Sequence, residues 1–415
     1  MTASAVPTRR QKQPASSEEP TVTPVMKLIS YSAALLALSS TLSAGAASMV
    51  TGSQFAVSES GAATLTIPIQ VPRGIGGMEP QLSLDYSSSA GNGLLGIGWT
   101  LTGPSAITRC PKNITADGVR GAVTFKTGDR FCLDGQRLEI TNLSNTDAVY
   151  GTANSVYSTE KDSFSRITAI GQYGGQPNVP SSFKVETKSG LILEFGISAN
   201  SQVLTTNIPS GLTAATINRW MLQRISDRHG SFVEFFYCGG EVSADGATCN
   251  ATEGTAGWTG SKVLHYVRYT NRAGAVNGEF AVVLGYEARP DRNKRFYLGS
   301  IAQQTQRISR IETYRDFAGP ALAQRGKLVK GYDVTYEPLV DSAGKSIRAT
   351  NTSRVQQIQE RDASGNRLPP IQLTMAPDAV FGQAVAQTAA APSGTPRPPE
   401  SCGGIIATRM RIQCP

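Results

Sequence analysis

The 415-residue sequence predicts an all-β fold of many short antiparallel strands and hairpins, with a curved sheet. Three observations predict it. Apolar and polar residues alternate with period two in run after run, as half-buried strands require. Glycine, at 42 residues, and many Ser, Thr and Asn supply turns between those runs. Few segments hold a helical period, and the charged fraction of 17% is too low for long solvated helices.

The elements follow in chain order. Residues 1–25 are rich in Pro, Ser and Thr and read as a disordered leader or a misassigned start. Residues 26–47 read as a signal peptide. Lys27 gives the positive start, Leu28 to Leu38 the apolar run, and Ser43-Ala44-Gly45-Ala46 the small-residue cleavage pattern. No later stretch approaches 18 apolar residues, so the mature chain is expected to have no transmembrane span.

Leu65, Ile67, Ile69 and Val71 alternate with Thr66, Pro68 and Gln70, which predicts a strand. Pro68 lacks an N–H, so it demands an edge or a bulge. Leu82, Leu84 and Tyr86 form the next strand. Phe131–Leu133, Asp134-Gly135 and Gln136–Ile140 read as a hairpin with a type I′ turn. Lys184–Thr187 and Leu191–Phe195 read as another, turned by Lys188-Ser189-Gly190. Phe232–Tyr237, Val263–Thr270 and Ala281–Tyr286 are rich in aromatic and β-branched residues. Tyr332 to Tyr336 and Ile371 to Met375 alternate again, whereas Val355–Glu360 fits strand or helix. Residues 376–415 carry no period and read as a disordered or frameshifted tail.

Cysteine usage agrees with export. Cys110–Cys132, Cys238–Cys249 and Cys402–Cys414 are local pairs separated by 22, 11 and 12 positions. In an oxidising compartment such neighbours close small loops. The first two pairs are the disulfide candidates. Zinc is disfavoured, because no C-x₂₋₄-C pair exists and the chain has only His229 and His265. The net charge of +8 is scattered, without the basic run of a nucleic-acid arm.

Gly61 to Pro111 carries a dense order of glycines, prolines and aromatics. Its fixed positions are Ile67, Pro68, Ile69, Pro72, Gly74, Gly77, Pro80, Leu82, Leu84 and Tyr86. They continue through Gly91, Gly93, Gly96, Gly98, Trp99, Ile107 and Arg109. This stretch resembles the opening signature of the Salmonella-plasmid-virulence-B N-terminal family and of Tc-toxin B components. Asp227 to Tyr237 is similar to a step common in that family and in Rhs shells, with Ser231 at the usual asparagine. The resemblance spans 57–375. Read physically, the glycines permit positive φ and close backbone approach, and Trp99 can then fold over a neighbouring strand.

The resemblance implies that the strands form part of a hollow Tc/Rhs-type shell around a toxic polypeptide. It implies an Rhs-repeat or toxin-complex partner and a secreted, extracellular or cell-surface location. Some members act in the host-cell cytoplasm. Members usually continue into propeller repeats, but no aspartate-rich repeat follows Met375, so a truncated, frameshifted or split product is expected.

Catalytic patterns are absent or misplaced. Gly91 to Gly96 matches G-x-G-x-x-G, but Trp99-Thr100-Leu101 does not begin the helix a dinucleotide needs. Gly344-Lys345-Ser346 lacks the earlier glycine of a phosphate loop, since Leu339 stands there. No E-x-E pair supports the ADP-ribosyltransferase that some members carry, and no G-x-S-x-G supports a hydrolase. His229 fits a turn and His265 a packed strand. The sequence therefore predicts no cofactor, no metal and no enzymatic activity. It predicts a secreted shell segment, with an exported surface or adhesion protein as the alternative and an ADP-ribosylating effector as the disfavoured third.

Overall fold

The computed structural model describes residues 51–375, apart from 145, 208–210, 212–213, 252–259, 273–277, 298–299, 341 and 344–350, together with the backbone of Met410–Gln413. The expected leader, the signal peptide, Cys402, Cys414 and Gly344–Ser346 lie outside the described residues.

The chain opens with a four-stranded antiparallel sheet. β1 (Gln54–Val57), β2 (Ala63–Pro68) and β3 (Ser83–Ser87) lie side by side. A two-residue ladder of β4 (Asn92–Gly93) and β5 (Gly96–Ile97) then leads into β6 (Trp99–Thr102), which pairs with β3. The predicted alternation is met: Leu65, Ile67, Leu84 and Tyr86 are buried on one face. β2 is flanked on both sides, yet Pro68 is tolerated. β1 reaches only as far as Thr66, so nothing on that side needs the missing N–H.

The next strands close a barrel. They are β7 (Ala106–Cys110), β8 (Arg130–Leu133), β9 (Gln136–Ile140), β10 (Val156–Thr159), β11 (Arg166–Ile170), β12 (Ser182–Glu186), β13 (Ile192–Phe195), β14 (Gln202–Leu204) and β15 (Ile217–Ser226). Consecutive antiparallel pairs run from β7 to β13, β13 pairs with β15, and β15 returns to β7, giving a ring of eight. The β8–β9 turn is as predicted: Asp134 (φ 47°) and Gly135 (φ 83°) both take positive φ. Asn113 caps a short helix, α1 (Ile114–Asp117). Phe131 sits 5.3 Å from both Phe183 and Trp220, so side chains fill the lumen at this level.

From β15 the sheet runs on through β16 (Ser231–Cys238). A small ladder of β17 (Gly240–Val242) and β18 (Cys249–Ala251) branches off. β19 (Val263–Arg272), β20 (Phe280–Tyr297), β21 (Ser300–Arg315), β22 (Lys327–Tyr336), β23 (Val355–Asp362) and β24 (Ile371–Met375) follow, each antiparallel to its neighbour. The ambiguous Val355–Glu360 is strand, because Val355 and Ile358 enter the core from a central position. β20 and β21 are far longer than the alternation suggests, since their distal halves are polar. Within the expected tail, β25 (Met410–Gln413) pairs with β24. Its Met–Arg–Ile–Gln alternation is too short a run to read from sequence. One apolar cluster joins all three parts, from Leu65 and Trp99 through Phe131 and Trp220 to Tyr286 and Ile358.

Candidate functional site

The signature residues converge on a corner where the first sheet meets the later strands. Its first half is the β2–β3 connection. Pro72 and the buried Pro80 bracket it, and Ile69 N–H donates to the Leu82 carbonyl at 2.8 Å to close it. Gly74 must be glycine, because a Cβ there would lie 2.0 Å from the Met78 carbonyl oxygen. Gly77 takes positive φ (78°). Glu79 accepts from Gly74 N–H at 3.0 Å. This turn is anchored to β22, where Tyr332 OH accepts from Gln70 N–H at 3.1 Å and Lys330 donates to Gln70 Oε1 at 2.6 Å.

The second half is the glycine ladder. Trp99 is fully buried, with its ring 5.4 Å from that of Tyr86. At Gly98 (φ 81°) a Cβ would lie 2.4 Å from the Tyr86 ring, so glycine lets Trp99 turn over it. At Gly93 a Cβ would meet the Trp99 carbonyl, and at Gly96 the Ser353 carbonyl. These glycines therefore serve close packing. A strand follows them rather than a helix, so there is no helix N-terminus for a pyrophosphate.

What holds the ladder is a buried clasp that sequence reasoning missed. Arg289, 2% exposed, donates through Nη1 to Gly93 O (2.7 Å) and Gln304 Oε1 (2.8 Å), through Nη2 to Asn92 Oδ1, and through Nε to Asp291 Oδ1 (3.0 Å). Asp291 also accepts from Asn92 Nδ2 (2.8 Å), Ser353 N–H (2.8 Å) and Ser353 Oγ. The Ser353 carbonyl accepts from Ile97 N–H at 3.0 Å. Burial opposes the Asp291 charge, yet hydrogen bonds from Arg289, Ser353 and Asn92 prevail and hold its carboxyl down at about 2. The signal was Arg289-Pro290-Asp291, charges and a proline interrupting a strand pattern. The ladder register breaks there, between Ala288 and Asn293.

Arg109, the last signature residue, lies apart from this clasp, inside the barrel wall. It pairs with Asp129 at 3.0 Å, donates to Ile217 O at 2.8 Å, and lies over the Phe125, Phe131 and Trp220 rings. Burial pushes its pKa down from the usual value, against the attraction of Asp129. Cys110 is joined to Cys132 across β7 and β8, and Cys238 to Cys249 at the β17–β18 branch. Asp227 Oδ1 accepts from His229 N–H and Ser231 N–H, each at 2.8 Å, which fixes the β15–β16 turn. His229 is exposed in that turn. His265 is buried on β19 with Nε2 2.9 Å from Gly246 O, and burial lowers its pKa.

The clasp thus offers ion pairing and backbone capture, with every group engaged inside the protein. A cleft of about 190 Å³ beside it, between Leu94, Arg219, Lys262 and Gln304, falls below the size of ordinary small-molecule sites. Among the described residues no group of three or more His, Cys, Asp or Glu could hold a metal ion. No helix among them is long and apolar enough to cross a membrane.

Comparison with known proteins gives a consistent picture. The family described as Salmonella virulence plasmid 65kDa B protein matches residues 57–298. No curated protein matches. The crystal structure of TcdB2-TccC3 is similar at 18% identity and TM-score 0.56, over 79% of this chain and 17% of that one. The Photorhabdus luminescens Tc holotoxin pore is similar at 18% and 0.58, over 79% and 16%. The N-terminal domain of effector protein SpvB from Salmonella typhimurium strain LT2 is similar at 18% and 0.51, over 71% and 98%. This chain spans about a sixth of the Tc toxin chains it matches. At these identities the likeness is one of fold.

Proposed function

The chain belongs to the Salmonella virulence plasmid 65kDa B protein family, and from that premise we propose that it is a secreted, non-catalytic shell segment of a Tc/Rhs-type toxin or virulence protein. Its task is to supply curved β-sheet to an enclosure for a toxic polypeptide, and to dock against an Rhs-repeat or toxin-complex partner. The observation that carries this reading is the clasp. Arg289, Asp291 and Ser353 spend their polar groups on one another, on Gln304 and on Asn92, Gly93 and Ile97 of the glycine ladder, which makes a rigid joint between sheets. The paired cysteines support an oxidising, extracellular location.

Co-expression of the full chain with the proteins encoded beside it, followed by affinity purification, tests the proposal. A stable complex with an Rhs-repeat protein is the expected result. Purification of the chain alone under all conditions counts against it. Transfer of labelled ADP-ribose from NAD by the isolated chain would overturn the non-catalytic reading.

A further inference from the structure

The distal half of the β20–β21 hairpin is an arm set off from the rest of the sheet. Ala288 pairs with Gln306 and Asn293 with Gln304, so four residues of β20 stand against one of β21. A bulge bends and re-aims the strand that carries it. Arg289 and Asp291 lie inside this one, so the clasp fixes the base of the arm. The two edges of the arm differ. The β21 edge is covered: Ile301 N–H donates to Thr206 Oγ1 at 2.7 Å, Ser261 Oγ donates to Gln303 O at 3.1 Å, and Gly260 packs on the Ile301 carbonyl. The β20 edge is open. β19 pairs with β20 only across Phe280–Val283, and Tyr286 N–H donates to Ser243 O. From Arg292 to Phe296 no backbone partner lies on that side among the described residues.

Beyond the bulge every charge on the arm is a cation of the open strand. Arg292, Lys294 and Arg295 are exposed, and none of them makes an ion pair among the described residues. Ser300–Gln306 on the covered strand holds no charge. With all acids at full charge, Glu287 to Arg307 holds five cations against Glu287 and Asp291, a net +3. The neighbouring segments do not offset this. Residues 88–98 and 197–218 hold no charged residue, and 260–263 brings Lys262. Glu253, outside the described residues, cancels Lys262 and leaves the +3 standing. Cations on an edge strand can serve only to repel stray strands. A merely guarded edge has no use for an aromatic, yet Phe296 is 67% exposed beside Arg295. Lys294 and Phe296 share one face of the arm, and Arg295 lies on the other, lining the cleft with Gln304.

We propose that the open edge of β20, from Arg292 to Phe296, takes up an acidic extended segment of a partner polypeptide as an added strand. The partner's backbone pairs with the free N–H and C=O groups, and its carboxylates meet Lys294 on one face and Arg295 on the other. An apolar side chain of the added strand covers Phe296. Charge complementarity selects the acidic segment, because a neutral or basic strand gains nothing from three unpaired cations. A nucleic acid or a lipid headgroup meets the cations equally well but cannot use a strand edge. The inference rests on the arm alone and does not depend on the shell proposal.

The test is fluorescence anisotropy of the full chain with a labelled peptide of repeating Glu-Glu-Val, which places carboxylates on both faces of a strand. Saturable binding that weakens with salt is expected, with no binding of the matching Lys-Lys-Val peptide. N-methylation of alternate backbone nitrogens in the acidic peptide keeps its charge and removes its edge hydrogen bonds, and it should abolish binding in one of the two possible registers. Lys294→Glu with Arg295→Glu should weaken binding by about tenfold or more. Both side chains are exposed and unpaired, so an unchanged thermal melt is expected of that variant. The proposal fails if the acidic peptide does not bind, or if the folded variant binds it as the parent does. It fails equally if both N-methylated registers bind like the plain peptide, which would mean attraction without strand addition. Capture of the chain by single-stranded DNA or by phosphatidylserine vesicles, with no binding of the peptide, would also overturn it.

Discussion

A methyl group at Gly96 would lie 2.3 Å from the Ser353 carbonyl oxygen, on a backbone already at φ 106°. Gly91 has open space in the same direction and no positive φ. Gly96→Ala is therefore expected to cost about 2–4 kcal/mol in urea unfolding, combining backbone strain with displacement of the β23 approach. Gly91→Ala should stay within about 0.5 kcal/mol. Equal midpoints for the two would contradict this account of the corner. Asp291→Asn leaves Arg289 buried without its counter-charge, and about 3–5 kcal/mol of destabilisation is expected, read from the same curves. The glycines were legible in the sequence because their crowding shows as an ordered motif. Arg289 and Asp291 were not legible, because an Arg-Pro-Asp run looks like a surface turn until Asn92 is brought beside it.

Among the elements, hairpins with short turns were the easiest to read. Asp134-Gly135 and Lys188-Ser189-Gly190 announce themselves by turn chemistry, and the flanking strands follow. β21 was invisible because Gln303, Gln304 and Gln306 break the apolar alternation, and its pairing with β20 overrides that local signal. Two pairs of strands are pinned covalently, β7 to β8 and β16 to β18. Replacing Cys110 and Cys132 together by serine should lower stability by about 3 kcal/mol, since the bridge closes a 22-residue loop of the unfolded chain. A thermal melt with and without reductant checks this. The double variant should have lost most of its sensitivity to reductant, keeping only the part due to Cys238–Cys249.

For the whole molecule the all-β class was plain from alternation, whereas closure of the barrel was not. The β15–β7 pairing joins segments some 110 residues apart, and nothing in either run names its partner. Acid should undo this assembly in two stages. His265 is buried neutral, so as pH falls below about 6.5 the unfolded chain gains a proton that the folded one resists, and stability declines. Asp291, held at about 2, stabilises the fold above the usual carboxylate range, and that stabilisation is lost as pH falls from about 4 toward 2. Asp85, Asp117, Asp147 and Asp245 are lowered as well and act in the same direction. Melting temperature followed from pH 8 to 2 should bend down gently first and steeply second. His265→Gln should remove the first bend and leave the second.

The clasp also sets an order of events during synthesis. Asn92 finds Asp291 only 199 residues later, and Gly96 must wait for Ser353. At roughly 5–20 residues per second, translation leaves the glycine corner without its partner for on the order of ten seconds or more. Throughout that interval Trp99 and its neighbours are an unfinished surface. The opening sheet is made first and completed last, so a chain interrupted before Ser353 keeps its signature and forfeits the joint that the signature exists to form.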